Sequence, residues 1–225
     1  MNKEIYLIAG SEAESYNDFK QRISSSVSEL NAILHPDAIK FTITEKAPPA
    51  ISIIPFRKSK ITAISIYKSN PEMEESLIKS AGFRGAYRVD EALPVSYQKN
   101  WKDGESTPGV CLLTLFSQKK NIDYATFINR WHNGHTPLSL RIHPLWNYVR
   151  NEVKEILTEG SPKFNGIVEE QFRTTNDLLN PFKFFGNPLI IIPRMLTVYA
   201  DTKSFIDYPS METYLATEHI IKTKS

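Results

Sequence analysis

Y-A-T-F-I-N-R-W-H-N-G-H-T-P-L-S-L-R-I-H, residues 124–143, runs into Pro144 and repeats the spacing of an earlier stretch, residues 16–36. Shifted by 108 positions, Tyr16, Phe19, Ile23, His35 and Pro36 fall on Tyr124, Phe127, Trp131, His143 and Pro144. In both copies apolar residues recur every three or four positions, the period of a helix with one buried face. The His-Pro pair ends each helix, because proline drives its predecessor out of the helical region. A strand-length apolar run precedes each copy, at residues 4–9 and 110–116.

A second register supports the repeat. Residues 87–93 lie over 214–220 at a shift of 127, keeping the tyrosine (Tyr87, Tyr214), the glutamate (Glu91, Glu218) and a final aliphatic residue. The two shifts differ by 19, which places an insertion of that size in the second half. The stretch 174–193, rich in Asn, Pro, Phe and Gly, accommodates it. Between the anchors lie strand candidates at 39–44, 60–67, 145–153 and 166–172, and helix candidates at 71–80 and 193–208. The resulting order, βαββαβ twice, is the ferredoxin-like unit. Helices cover one face of such a sheet, and the other must be buried against something. The expected fold is therefore α+β, with two tandem ferredoxin-like halves (1–100 and 107–225) pairing as a pseudo-dimeric α/β barrel. The polar segment 101–108 links them.

Composition narrows the function classes. Apolar residues make up 41% and charged residues 23%, and the net charge is +2. That is a globular composition without a basic field, so no nucleic-acid partner is expected. The single cysteine, Cys111, excludes an intrachain disulfide and a multi-cysteine metal site. In mid-strand it reads as a small buried hydrophobe. No run approaches the ~18 apolar residues of a membrane span, and the first apolar segment is too short for a signal-peptide core. A soluble, cytoplasmic protein with no membrane partner is expected.

The second half resembles the EthD-type branch of the dimeric α/β-barrel superfamily, over residues 107–222. Its Phe-x-x-x-Trp-x-x-x-His-x-Pro-Leu pattern is met by Phe127, Trp131, His135, Pro137 and Leu138. A Tyr-x-x-Asn is met by Tyr148 and Asn151, and an Asp-Gly-x-x-Glu by Asn165, Gly166 and Glu169, with asparagine replacing aspartate. Phe205, Ile206 and Asp207 resemble a Phe-Ile-Asp near the last strand. The resemblance implies chemistry on small, apolar, often aromatic or polyketide-like compounds, without a cofactor.

Four of the five histidines lie in the second half. The first has Ser24, Val27 and Ala92 where the second has His132, His135 and His219. Only His35 and His143 correspond, which reads as a structural helix-ending pair. His135 is the first choice for a general acid/base, since imidazole titrates near working pH. Glu169 or His219 would be its partner. Adjacent strand residues face opposite ways, so only one of Glu169 and Glu170, and one of Glu218 and His219, faces a cavity. Trp131, His132, Tyr148, Asn151, Phe172 and Tyr214 are the substrate-binding candidates, with Phe184 and Phe185 as further lining. No metal site is expected: no carboxylate joins His132 and His135 at ligand spacing. The insertion at 184–188 reads as a surface loop, with a lid or homodimer contact as the functional alternative. Two functions follow. One is a cofactor-independent enzyme of decarboxylase, dehydratase or oxygenase type. The other is a non-catalytic ligand-binding or accessory barrel.

Overall fold

The computed structural model describes residues 3–68 and 71–224. The first half of the chain forms β1 (Lys3–Ala9), α1 (Tyr16–Leu34), β2 (Ala38–Ile43), β3 (Ile61–Tyr67), α2 (Pro71–Ile78) and β4 (Phe83–Val95). The second forms β5 (Val110–Phe116), α3 (Tyr124–Asn129), a π-turn (Arg130–His135), α4 (Thr136–Ile142), β6 (Asn147–Ile156) and β7 (Gly166–Phe172). It continues with α5 (Thr175–Leu179), α6 (Pro181–Phe184), α7 (Ile191–Phe205) and β8 (Glu212–Lys222). The expected insertion holds α5 and α6. A capping box between Thr174 and Asp177 starts α5, and the Asn180 side chain caps α6.

The eight strands close into one antiparallel barrel in the order β1-β3-β2-β8-β5-β7-β6-β4, with β4 returning to β1. The first four strands run β4-β1-β3-β2 and the last four β8-β5-β7-β6, the same order twice. Two seams, β2 on β8 and β4 on β6, join these sets. Closure leaves no exposed sheet edge, the usual liability of a β-sheet.

Strand alternation divides the buried side chains into two sets. Inward-facing Ile5, Leu7, Leu113, Leu115 and Ile167 fill the barrel interior, where Cys111 is also buried. Outward-facing residues pack beneath the helices: Phe19, Ile23 and Val27 of α1 close on Phe41 and Ile64. On the other side Phe127, Trp131 and Phe205 close on Phe116 and Val168. Because both faces are covered, most strand residues are buried whichever way they point.

The helix expected as one unit from Tyr124 to the His143-Pro144 pair contains a π-turn. Pro137 explains it. Proline has no N–H to give to the carbonyl four residues back, and its ring crowds that carbonyl. The helix widens just before it, and the Thr136 N–H reaches the Trp131 carbonyl, five residues back. The Thr136 hydroxyl donates to the same carbonyl at 3.1 Å.

Candidate active site

A cavity of about 180 Å³ lies outside the barrel wall, between the second-half sheet and its helices. Trp131, Phe116, Phe205 and Val168 form one apolar wall, and Phe184 and Phe185 of the insertion form another. Ile53, Ile54 and Pro55 cross over from the β2–β3 connection to cover it. That strap is fastened to β8: the Thr213 hydroxyl donates to the Pro55 carbonyl, and the Arg57 N–H donates to the Thr213 carbonyl, both at 2.8 Å. The first half thus closes a cavity belonging to the second.

Polar groups from the helices and from the sheet converge on this mainly apolar space. His135, at the end of the π-turn, places Nδ1 2.6 Å from Asp201 Oδ2 on α7. Its Nε2 lies 3.0 Å from Ser139 Oγ, one turn further along α4. A carboxylate can only accept, so Nδ1 carries a proton, and in the neutral imidazole Nε2 is the basic nitrogen and the Ser139 hydroxyl donates to it. The imidazole is held against α7 by its contact with the Phe205 ring at 5.3 Å. On the sheet side of the cavity stands Glu170, whose carboxyl is pushed up to about 7 by burial, with His135 pulling the other way. The Tyr148 phenol, also on the wall, is raised by burial and by the nearby Glu170, so it remains protonated. His143 donates from Nδ1 to the Phe184 carbonyl at 3.0 Å, and burial lowers its pKa to about 4. A neutral histidine there anchors the insertion.

The other expected site residues lie elsewhere, and alternation on the strands is the reason. Glu169 points into the barrel interior. There it accepts from Lys40 Nζ at 3.0 Å and from the Thr42 hydroxyl. Asn151 also faces inward, accepting from Lys3 Nζ at 2.8 Å and donating to the Ile167 carbonyl at 2.9 Å. Tyr214 faces inward and donates to Glu212 at 2.5 Å. His219 lies outside the barrel on the first-half side, stacked on Phe41 at 4.8 Å, with Nε2 2.7 Å from Glu45 Oε1. His132 turns from the cavity toward Glu152, at 3.7 Å, and burial with the Arg150 charge lowers it to about 4. Phe172 is fully buried and packs at a tilt on Phe184, behind the cavity wall.

Strand alternation leaves Glu170, not Glu169, as the one of that pair on the cavity, while Ser139 and Asp201 are not among the residues the sequence points to. Ser139 has a local signal, its i+4 spacing from His135 on one helix face. Asp201 has none, being 66 residues from its partner. Among the described residues no cluster of His, Cys, Asp and Glu is arranged to hold a metal ion. No helix there is long and apolar enough to cross a membrane.

No protein-family model matches this chain, and no curated protein sequence matches it. Solved structures do. The chain is similar to an anthrone oxidase-like protein, with a TM-score of 0.61 and 8% identity, over 100% of this chain and 94% of that one. It is also similar to a "Putative monooxygenase" from Fusobacterium nucleatum subsp. nucleatum, at TM-score 0.54 and 12% identity, over 100% and 94% of the two chains. At such identities the likeness shows the fold alone, a closed α/β barrel shared with these two structures.

Proposed function

We propose that this chain is an EthD-like enzyme that moves protons on a small, neutral, apolar or aromatic carbonyl compound held in the second-half cavity. The observation that carries the reading is His135, fixed by Asp201 in one tautomer at the edge of a mainly apolar hollow. Enzymes use that arrangement to keep a base oriented and active. Glu170 supplies a second group whose proton is exchangeable near neutral pH, an acid to the histidine's base. His135 receives the substrate's proton through the Ser139 hydroxyl that caps its basic nitrogen. The cavity compares with the ~150 Å³ hollow that takes up benzene, so a single-ring compound is the matched size.

The same reading treats the barrel as two ferredoxin-like halves, 1–100 and 107–225, derived from one unit. Support comes from the repeated strand order and from inward-facing pairs at matching positions. Tyr87 and Tyr214 both sit in the interior core, while Glu91 and Glu218 accept from Lys3 and Lys40 at 2.6 and 2.7 Å. In the first half the space beneath α1 is packed with Ile23, Val27, Phe41 and Ile64. The reading needs no cofactor: such a proton transfer would open a reaction of dehydratase or oxygenase type, and in one of decarboxylase type it would protonate the carbanion left when CO2 departs.

The test is deuterium exchange. Aryl ketones incubated with the protein in heavy water should gain deuterium alpha to the carbonyl, read by mass spectrometry. His135→Ala should slow this roughly 10²–10⁴-fold without changing the melting temperature much. Exchange that is absent, or indifferent to that substitution, overturns the proposal.

A further inference from the structure

The order of contacts Ser139 Oγ to His135 Nε2 (3.0 Å) and His135 Nδ1 to Asp201 (2.6 Å) does more than orient a base. A hydroxyl donating to a histidine whose far nitrogen is held by a carboxylate is the arrangement that turns serine into a nucleophile, and it arises on unrelated folds. Ser139 is fully buried from bulk water yet lines the cavity. We propose that Ser139 takes acyl groups from small neutral esters bound in this cavity, giving the chain an ester-cleaving activity beyond the proton transfer described above.

The step balances without any other reagent. Ser139 Oγ adds to the ester carbonyl carbon while its proton passes to Nε2. The adduct collapses, the bond to the alcohol oxygen breaks, and the Nε2 proton leaves with the alcohol. Water then adds to the acyl carbon, giving a proton to Nε2. The acyl–Oγ bond breaks, the carboxylic acid departs, and Ser139 recovers its proton. Tyr148 lines the same cavity, and its phenol is the group the proposal assigns to the oxyanion. Substrate class follows from the walls. The lining is mainly apolar, and the Glu170 carboxyl disfavours anions, so short-chain or single-ring neutral esters fit.

The experiment needs no knowledge of the natural substrate. The full chain is treated with a fluorophosphonate, followed by intact mass and peptide mapping. One adduct on Ser139 is expected, absent in S139A and formed roughly 10²–10⁴-fold more slowly in D201A. p-Nitrophenyl acetate should show a burst, and S139C, judged folded by its melting curve, should retain acetyl as a thioester. If S139A does not fold, the position of the wild-type adduct decides alone. No adduct, or one elsewhere, overturns the proposal. Deuterium exchange with aryl ketones separates the two readings: exchange without labelling removes only the nucleophile, and labelling without exchange removes only the proton-transfer function.

Discussion

Glu169 and Glu170, consecutive on β7, stand on opposite faces of one sheet and are driven to opposite ends of the carboxyl range. Burial acts on both. At Glu169 it is outweighed by Lys40 and Lys3 and by the hydrogen bond from Thr42, which hold the group at about 2. At Glu170 no cation answers it except the partial influence of His135, and the group rises to about 7.

The first prediction follows from that rise. A carboxyl whose folded pKa exceeds its unfolded one gives stability that is complete below about 4.5 and is lost as pH climbs through about 7. The loss is on the order of 3 kcal/mol. E170Q carries no such titration. Urea melts at pH 5 and pH 8 should show the variant gaining on the wild type at the higher pH. An equal difference at both pH values would contradict the buried, partly neutral carboxyl. The depressed Glu169 acts in the opposite sense, being lost only as pH falls toward 2, outside this window.

A second prediction concerns the barrel interior. Lys40 Nζ contacts Glu169 at 3.0 Å and Glu218 at 2.7 Å, and Glu218 also accepts from Tyr97 at 2.5 Å and Thr107 at 2.9 Å. K40M would strip Glu218 of its ion-pair partner and leave Glu169 only the more distant influence of Lys3, at a cost of about 3–5 kcal/mol. Denaturant midpoints measure this. Adding E169Q and E218Q to K40M should restore a substantial part, since the cost comes from stranded charge and not from lost volume.

How far the sequence could lead is seen in these same residues. The two register matches, at shifts of 108 and 127, lay α1 over α3 and α4 and Glu91 over Glu218, and a closed barrel answers the need of each sheet face for cover. What could not be read was direction. In a barrel buried on both faces, an inward Glu169 and an outward Glu170 are both buried, and no alternation of polarity along the strand separates them. Pro137 within a helical pattern was the visible sign of the π-turn, although a proline there equally suits a simple break. Asp201 meets His135 only because α7 folds over the π-turn, where Arg130 donates to the Ser204 carbonyl at 2.7 Å. That encounter is tertiary.

The Asp201 contact yields a third prediction. With Asp201 accepting, neutral His135 carries its proton on Nδ1, and at high pH long-range proton–nitrogen spectra should report that tautomer. D201A removes the acceptor, and the Nε2–H form that free imidazole favours should become populated. A spectrum unchanged by D201A would mean that the 2.6 Å contact does not set the tautomer.

The last prediction tests the aromatic wall. At Gly166 a Cβ would stand 2.8 Å from Cε1 and Cε2 of Phe116, with an ordinary backbone angle, so any cost there is purely steric. Phe116 is in contact with Trp131 at 5.0 Å and Phe205 at 6.1 Å between ring centres, and all three line the cavity. G166A should cost about 1–3 kcal/mol by overpacking and displace the cavity wall as well. G160A gives the contrast. Its φ of +79° strains a side chain, but nothing lies within 4 Å, so only the backbone penalty of about 1–2 kcal/mol applies and the cavity is untouched. Shortening the opposing ring should rescue one and not the other: F116L combined with G166A should cost less than the sum of the single changes, whereas F116L with G160A should be additive. Additivity in both pairs would show that the ring does not pack over Gly166.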